Sequence, residues 1–213
     1  MNKIILTLAA VMTMSFAACA QNKGEKNMQT ENKPLVVYFS ATGTTAKAAR
    51  TIADVTGGTL YEIVPQQAYT ADDLDWNDKQ SRSSVEMNNP QARPALKDTK
   101  PNVAAYNVIF IGYPIWWDQA PRIINTFIES HNLKGKTLVP FATSGGSGIT
   151  GSVRALRKAY PDLEWQDGKL LNRASRNAVQ NWVSGLGKGV RSFKEGVKGV
   201  ENDLDIRDEN PVK

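Results

Sequence analysis

The chain has 213 residues, of which 41% are hydrophobic and 22% charged, a composition that suits one globular domain with appendages rather than a fibrous or disordered protein. It contains one cysteine, Cys19, and one histidine, His131, and its formal net charge is +5. These counts exclude an internal disulfide, a cysteine zinc site, an iron–sulfur cluster, a CxxC redox pair and a histidine-rich metal centre. We therefore expect any chemistry to depend on a bound cofactor or on backbone groups, with no metal site.

The N-terminal segment predicts export and lipid anchoring. A short basic start precedes the apolar residues 4–18, which are too few to span a bilayer, for which about 20 are needed, but suit the core of a signal peptide. The stretch ends in FAAC (16–19), which resembles a bacterial lipobox with Phe in place of the usual Leu. We predict a lipoprotein signal peptide over 1–18 and lipidation at Cys19; the alternative is an ordinary signal with an incidental cysteine. The polar residues 19–33 have no periodicity and predict a flexible tether.

Residues 34–186 alternate short apolar runs with helical patterns and predict one domain. The apolar runs predict four strands and a short fifth one, at 35–39, 59–64, 107–112, 137–143 and within 163–171. The helical spacing of apolar residues predicts helices at 44–55, 121–129, 149–160 and 174–186. Strands that alternate with helices indicate an α/β fold in three layers, a parallel sheet with helices on both faces.

Beyond 186 the chain is basic. Between Leu186 and Val200 the apolar residues recur at spacings of three and four, with basic residues between them. Such an amphipathic segment can lie on an anionic membrane surface. The glycines in it weaken a helix, so a solvated tail stays open as the alternative for 187–213, whose last residues are predicted to be disordered.

Ligands of parallel sheets bind beyond the C-terminal ends of the strands, and three turns there have an unusual composition. After the first strand, SATGTT (40–45) places four hydroxyls and a glycine before a helix, which predicts a phosphate cradle of neutral donors. After the third, YPIWWD (113–118) offers two adjacent Trp rings for stacking on a planar ligand, unless both pack under the loop. After the fourth, TSGGSG (143–148) has glycines that allow close approach of a ligand.

These loops resemble those of a known family. VVYFSATGTT (36–45) resembles the signature strand and phosphate loop of flavodoxins, and GYPIWW (112–117) and FATSGGSG (141–148) are similar to the second and third flavin loops of a bacterial flavodoxin-like family. The resemblance covers 34–186 and implies a five-stranded, doubly wound, flavodoxin-like sheet that binds FMN noncovalently. The residues it implies for the phosphate are Ser40, Thr42, Gly43, Thr44 and Thr45. Those it implies for the isoalloxazine ring are Pro114, Ile115, Trp116 and Trp117 on one side and Thr143, Ser144, Gly145, Gly146 and Gly148 on the other.

The long polar segment 66–100 interrupts the alternation of strands and helices. Within it, YTADDLDW (69–76) and NPQARPAL (89–96) resemble a family insertion that packs beside the flavin. The segment is either a lid or partner surface, or a structured excursion that covers the edge of the sheet.

Other motifs carry no function here. GxGxxG at 146–151 follows the fourth strand rather than the first, and GKT at 135–137 precedes a strand rather than a helix, so neither predicts a nucleotide site. The lone His131 has no hydrolase motif around it and is expected to cap the C-terminal end of a helix. No nucleic-acid-binding motif accompanies the basic residues, so no nucleic-acid partner is predicted. No residue is assigned a catalytic role.

The sequence thus predicts an FMN-binding electron-transfer protein of the cell envelope, tethered to a membrane by lipid at Cys19, with the tail as a second candidate contact. Its partners would be redox proteins or small-molecule electron donors and acceptors. Carriers of this family are typically acidic and this chain is basic, so their partner electrostatics do not carry over. Two alternatives stay open: an NAD(P)H- or quinone-dependent FMN reductase, and a non-redox surface binding protein on the same scaffold.

Overall fold

The computed structural model describes residues 33–97, 101–173 and 175–189. The predicted signal peptide, Cys19 and the tether up to residue 32 lie outside the described residues, as does the predicted tail after Gly189. Among the described helices, none is both long enough and apolar enough to cross a bilayer.

The centre of the fold is a wholly parallel sheet. Its strands are β1 (Leu35–Tyr38), β2 (Thr59–Glu62), β3 (Val108–Pro114), β4 (Thr137–Thr143), β5 (Glu164–Trp165) and β6 (Lys169–Leu170). The order is β2-β1-β3-β4, and both β5 and β6 pair with β4, at its beginning and near its end. The fifth position of the sheet is therefore one strand interrupted at 166–168. The predicted five-stranded, doubly wound α/β fold is confirmed.

In the part of the chain that the structure describes, five α-helices accompany the sheet: α1 (Thr44–Thr56), α2 (Arg82–Asn88), α3 (Arg122–Glu129), α4 (Ile149–Ala159) and α5 (Arg176–Gly189). Val36 and Phe110 belong to one buried cluster with α1 and α5, whereas their neighbours Val37 and Ile111 belong to another with α3 and α4. Successive side chains of a strand point to opposite faces, so a sheet covered on both sides needs apolar residues at every position. This explains the continuous apolar runs of β1, β3 and β4.

Most predicted boundaries differ from the observed ones by one or two residues, and three differences bear on the site or on the extent of the domain. β3 runs two residues further, to Pro114, because its pairing with β4 continues until Pro114 lies opposite Thr143. α5 begins at Arg176 and continues to Gly189, past the predicted end of the domain at 186. α2 was not predicted: it has seven residues, too few to show a helical period, and it begins where the Ser81 hydroxyl accepts a hydrogen bond from the Ser84 amide (3.3 Å).

His131 lies just beyond the C-terminal end of α3, where its Nδ1 is 2.7 Å from the Phe127 carbonyl oxygen and its ring packs on the Phe127 ring at 4.3 Å. This is the capping position expected from the sequence. α3 leads from the end of β3 back to the start of β4, so His131 sits at the N-terminal ends of the strands, opposite the loops described next.

Candidate functional site

Two adjoining cavities lie among the loops at the C-terminal ends of β1, β3 and β4. The first, here called the aromatic cavity, has a volume of about 370 Å³ and is lined by Ala41, Thr42, Leu74, Trp76, Ser83, Pro114, Ile115, Trp116 and Trp117. The second, here called the polar cavity, has a volume of about 540 Å³ and is lined by Thr42, Thr44, Pro114, Ile115, Trp116, Thr143, Ser144, Gly145, Asn172 and Arg173. Thr42, Pro114, Ile115 and Trp116 border both cavities, so the two form one groove.

The loop after β1 is shaped by Ser40. Its Oγ accepts hydrogen bonds from the amides of Gly43 (3.1 Å) and Ala46 (3.2 Å), which folds the loop over the start of α1. Gly43 has a φ of 86°, a left-handed conformation that glycine adopts without steric cost. The amides of Thr44 and Thr45 are in the first turn of α1, where no intrahelical acceptor exists. These amides and the helix dipole give the first turn the donors and the field that an anion cradle needs, with Thr44 on the wall of the polar cavity.

Thr143, the last residue of β4, joins all three loops. Its hydroxyl oxygen is 2.8 Å from that of Thr45, in a buried contact. Its carbonyl oxygen accepts a hydrogen bond from the amide of Ile115 (2.8 Å). The Thr45 hydroxyl is therefore engaged within the protein, and Thr45 faces the cradle through its amide, whereas the Thr42 and Thr44 side chains are exposed at the groove.

The loop after β3 is a tight turn of unusual conformation. The amides of Trp116 and Gln119 each donate to the other residue's carbonyl oxygen (3.0 and 2.9 Å), and Trp117 and Asp118 between them have φ of 46° and 59°. These are the signs of a type I′ turn, in which Asn-Gly is the usual central pair. A left-handed non-glycine residue costs about 1–2 kcal/mol. Aspartate tolerates this conformation better than most residue types, so the strain of this turn lies mainly at Trp117.

Asp118 rests against the start of α4. A Cβ built on Gly151 would lie 2.0 Å from the Asp118 Oδ2, so the absence of a side chain at 151 makes room for the carboxylate. Gly151 is the third residue of α4, and a negative charge is favourable beside the N-terminal turn of a helix. Gly151, which in the sequence looked only like part of a GxGxxG motif, thus supports the Trp-containing turn.

The two adjacent Trp residues have different environments. Trp116 packs edge-on against Phe39 (5.7 Å between centroids) and Tyr69 (5.4 Å) and is half-buried. Trp117 is 46% exposed and lines the aromatic cavity. Trp116 therefore packs under the loop, which was the alternative considered for both residues, whereas the Trp117 ring is exposed and available for stacking.

The glycine-rich loop after β4 is organised by Ser144. Its Oγ accepts hydrogen bonds from the amides of Gly146 (3.1 Å) and Ser147 (2.8 Å), and its own amide donates to Asn172 Oδ1 (2.7 Å). A Cβ built on Gly145, Gly146 or Gly148 would meet no atom within 4 Å. The protein's own packing does not require glycine at these three positions, which is in keeping with a backbone that faces a ligand.

Segment 66–97 forms a wall of the aromatic cavity. Its Tyr69 packs on Trp116 and donates its hydroxyl proton to Glu86, while the Arg82 guanidinium lies 4.0 Å above the Tyr69 ring. Burial, together with Glu86, raises the pKa of Tyr69, which keeps the phenol protonated at physiological pH. Leu74 and Trp76, from the same segment, line the cavity.

Two arginines fix this segment to α3. Arg93 binds Glu129 through Nε (2.7 Å) and Nη2 (2.8 Å), a bidentate pair. The buried Arg122 donates through Nη2 to the Met87 carbonyl oxygen (2.9 Å) at the end of α2. The segment is therefore a structured excursion, firmly attached beside the groove.

Several groove residues were not identified from the sequence. Leu74, Trp76 and Ser83 come from segment 66–97, and their position depends on how that segment folds. Asn172 and Arg173 follow β6 and line the polar cavity. They could have been found by treating the turn after the fifth strand like the other three, because it reaches the same edge of the sheet.

The groove fits a phosphorylated planar cofactor. Among the described residues that line the two cavities, Arg173 is the one that carries a charge, and it borders the same cavity as Thr44. The Trp-containing turn offers an apolar wall for a ring. Within the described ranges, no group of three or more His, Cys, Asp or Glu side chains is placed to hold a metal ion.

Comparison with known proteins identifies the family to which the chain belongs. A sequence model of the flavodoxins matches residues 33–186. A candidate flavoprotein from Bacteroides eggerthii DSM 20697, known from its crystal structure, is 63% identical; the alignment covers 72% of this chain and 96% of that one, with a TM-score of 0.70. A candidate flavoprotein from Bacteroides uniformis ATCC 8492 is 56% identical. The alignment covers 72% of this chain and 98% of that one, with a TM-score of 0.70. A flavoprotein from Lactobacillus acidophilus NCFM, solved in complex with FMN, is 21% identical. The alignment covers 65% of this chain and 93% of that one, and the TM-score of 0.54 shows that the two chains share a fold. None of the curated proteins matches the chain significantly.

Proposed function

The chain belongs to the flavodoxin family, and on that basis we propose that it binds FMN noncovalently in the groove formed by the two cavities and serves in electron transfer outside the cytoplasm. The observation that carries the proposal is the junction at Thr143. It binds the phosphate-type loop through Thr45 and the Trp-containing turn through Ile115, so the loops that would hold the two ends of the cofactor are both hydrogen-bonded to one residue.

Each part of the groove would have a separate task. The amides of Thr44 and Thr45 and the hydroxyls of Thr42 and Thr44 would hold the phosphate, with Arg173 adding a positive charge. The turn at 114–117 would line one side of the isoalloxazine ring and the loop at 143–148 the other. When bound, FMN supplies the redox chemistry, and the protein orients the ring, shields it from water and sets its surroundings.

The groove favours a carrier over an enzyme that uses acid–base catalysis. Of the residues that line the two cavities, only Arg173 is ionisable, and arginine stays protonated. General acid–base catalysis needs a group that titrates near the working pH.

The cofactor assignment is tested by titrating the purified protein with FMN and following flavin fluorescence. Replacing Thr44 by Glu puts a carboxylate at the cradle, and we expect it to weaken FMN binding at least 100-fold without unfolding the protein. Thr51→Glu, two turns further along α1, is the matched control and should bind FMN like the wild type. Equal affinity of Thr44→Glu and wild type would contradict the cradle. A wild-type protein that takes up no FMN would favour a non-redox binding protein.

We also propose a lipid anchor in the cell envelope, on the basis of the lipobox-like residues 16–19. Cys19→Ser should abolish lipid labelling and move the protein from the membrane fraction to the soluble fraction. Full membrane association of this variant would instead indicate the basic segment after Leu186 as the membrane contact.

A further inference from the structure

We propose that the edge of the sheet at β5 and β6 is a docking surface for an acidic protein, the redox partner of the cofactor groove. Between this edge and α4 lies a third cavity, here called the edge cavity, with a volume of about 520 Å³, lined by Ile149, Thr150, Val153, Arg154, Arg157, Asp167 and Gly168. It shares no lining residue with the two cavities of the groove. The inference rests on the proposed function, because it names the kind of protein that would exchange electrons there.

The wall of the edge cavity opposite α4 is fixed by Gly168, which lies between β5 and β6. A Cβ built on Gly168 would lie 2.6 Å from the Ile149 Cδ1 and 3.0 Å from the Val153 Cγ2, so only glycine lets the chain pass this close to α4. The close packing holds the neighbouring Asp167 at the cavity. The cavity is therefore a concave feature of the fold itself.

The charges of the edge cavity favour carboxylates. Arg154 and Arg157 are three residues apart on α4 and therefore neighbours on its surface. Arg157 donates through Nη2 to the Asp167 Oδ1 (2.9 Å), which shows that a carboxylate fits there. The Asp167 side chain is 95% exposed, and such exposed pairs contribute little stability, so a partner's carboxylate can replace it. Among the described residues no acid pairs with Arg154, whose guanidinium suits bidentate binding of a carboxylate.

Basic residues join the edge cavity to the cofactor groove. Lys169 of β6 and Arg173, which follows that strand, are both exposed, and Arg173 lines the polar cavity. Ile149 and Thr150 are the first two residues of α4, directly after the glycine-rich loop, so the edge cavity begins where that loop ends. A protein bound at Arg154 would therefore lie beside the groove.

The other side of the groove carries the opposite charge. Trp76, which lines the aromatic cavity, has four aspartates and one lysine within four residues of it in the chain, namely Asp72, Asp73, Asp75, Asp78 and Lys79. Acidic residues there repel an acidic partner, whereas the basic residues at the sheet edge attract it. The charges on the two sides would therefore orient such a partner toward β6 and α4.

This surface suits a protein better than an anionic membrane. Binding to a bilayer surface depends on apolar side chains that enter the interface as well as on basic ones. In the described part of the chain the exposed large hydrophobic residues lie outside α4, β5, β6 and the edge cavity; they are Leu60, Val64, Trp76, Val85 and Trp117. A concave basic surface without exposed large apolar residues matches the projecting carboxylates of an acidic protein.

The test is calorimetric titration of the FMN-loaded protein with cytochrome b5, an acidic haem protein. We expect saturable binding that weakens as salt is added, and Arg154→Gln should weaken it about fivefold. Arg50→Gln is the matched control, since it removes the same charge from an exposed position of another helix, α1, beside Tyr38 of β1. It should bind cytochrome b5 like the wild type.

A second variant tests whether the partner's carboxylates enter the edge cavity. Asp167→Asn removes the internal carboxylate that occupies Arg157, so we expect it to tighten cytochrome b5 binding about threefold. Asp162→Asn makes the same change of charge at an exposed position before β5 that does not line the edge cavity, and it should bind like the wild type. Equal gains in the two variants would overturn the carboxylate site, because net charge alone would explain them.

Absent cytochrome b5 binding, or binding that Arg154→Gln leaves unchanged, would overturn the inference. The Cys19→Ser protein should not bind vesicles of phosphatidylglycerol through this surface. Vesicle binding that a further Arg154→Gln abolishes would make the surface a membrane contact and overturn the proposal of a protein partner.

FMN affinity separates this inference from the proposed function. We expect Arg154→Gln and Asp167→Asn to keep wild-type FMN affinity, and a tenfold loss in either would make the edge cavity part of the cofactor site and overturn the inference. Failure of the wild type to bind FMN would instead overturn the proposed function. Cytochrome b5 binding to the cofactor-free protein would then decide the docking surface by the same variants.

Discussion

The loop after β1 and the loop after β3 border the same groove but reach their shapes in opposite ways. In the first, the left-handed position is a glycine, Gly43, and Ser40 satisfies two amides a few residues away. In the second, the left-handed positions hold Trp117 and Asp118, and this conformation conflicts with the residue type of Trp117. The first loop is encoded by its own sequence, whereas the second is imposed by its surroundings.

Those surroundings can be identified. The Ile115 amide donates a hydrogen bond to the Thr143 carbonyl oxygen. The Trp116 ring packs on those of Phe39 and Tyr69. The Asp118 carboxylate occupies the space that a side chain at Gly151 would fill. Strained backbone persists only where neighbouring structure determines it, and it concentrates at functional sites. We infer that the cradle is a fixed element, while the Trp-containing turn is the part of the groove whose conformation a ligand can shift.

The largest expected effect comes from Gly43→Ala in the fixed element. A Cβ at 43 would meet no atom within 4 Å, so the cost is purely conformational, about 1–2 kcal/mol of stability. Because the cradle amides would be re-aimed, FMN affinity should also fall at least tenfold. Gly135→Ala is the matched control: Gly135 has a φ of 70°, an equally open Cβ position and a place before β4, far from the groove. It should lose similar stability in urea unfolding and keep wild-type FMN affinity; a similar loss of affinity would contradict a specific role for Gly43.

Removing the strain from the loop after β3 should raise the free energy of unfolding, whereas Gly43→Ala lowers it. Trp117→Asn/Asp118→Gly installs the pair that type I′ turns prefer, and we expect it to stabilise the cofactor-free protein by about 1 kcal/mol. The same variant loses an indole from the groove wall, so FMN should bind more weakly. Trp117→Phe keeps both the ring and the strain and should leave the unfolding free energy nearly unchanged. A double variant less stable than the wild type would show that the turn is not strained in solution.

A smaller effect should show that Gly151 makes room for Asp118. Gly to Ala inside a helix usually stabilises by about 1 kcal/mol, and Gly185→Ala in α5, where a Cβ meets no atom within 4 Å, should show that gain. Gly151→Ala should not, since the new Cβ displaces the Asp118 carboxylate from α4. Gly151→Ala/Asp118→Ala removes the clash and should recover stability relative to Gly151→Ala. The urea midpoints of these variants measure their stabilities. Equal stability gains from Ala at 151 and at 185 would contradict the claim that Gly151 makes room for Asp118.

The contrast between the loops also explains what the sequence could reveal. Strand β4 was predicted with its observed bounds, because a parallel strand covered on both faces must be apolar throughout. The conformation of the loop after β1 has signals in its own sequence, because it depends on Ser40 and Gly43 themselves; its role as a phosphate cradle stays a prediction. The left-handed turn at Trp117 and Asp118 was not predictable, since tryptophan does not favour this conformation and its cause lies in Thr143, Tyr69 and Gly151. For the same reason the contribution of Trp76 to the groove depends on tertiary packing of its segment.

The smallest effect concerns the attachment of segment 66–97, which supports the Trp-containing turn through Tyr69. Hydrogen bonds from Arg93, and secondarily from the Tyr160 hydroxyl, lower the pKa of Glu129 below its ordinary value of 4.5. A carboxyl whose pKa is lower in the folded state stabilises the protein above the unfolded-state pKa and loses that contribution as pH falls through the folded-state value. Glu129→Gln keeps the shape and removes the charge, so at pH 7 it should cost less than about 1 kcal/mol, as for an exposed ion pair.

Below about pH 4 the difference between Glu129→Gln and wild type should shrink, because the wild-type carboxyl becomes protonated and neutral like the amide. Thermal unfolding of both proteins between pH 7 and pH 3 measures this convergence. Lys158→Gln is a control for loss of an exposed charge in the neighbouring helix α4, and its difference from wild type should lack this acid-side convergence. If the gap at Glu129 stays constant with pH, its carboxylate does not hold the segment, and the support for the Trp-containing turn must come from Arg122 and Tyr69 alone.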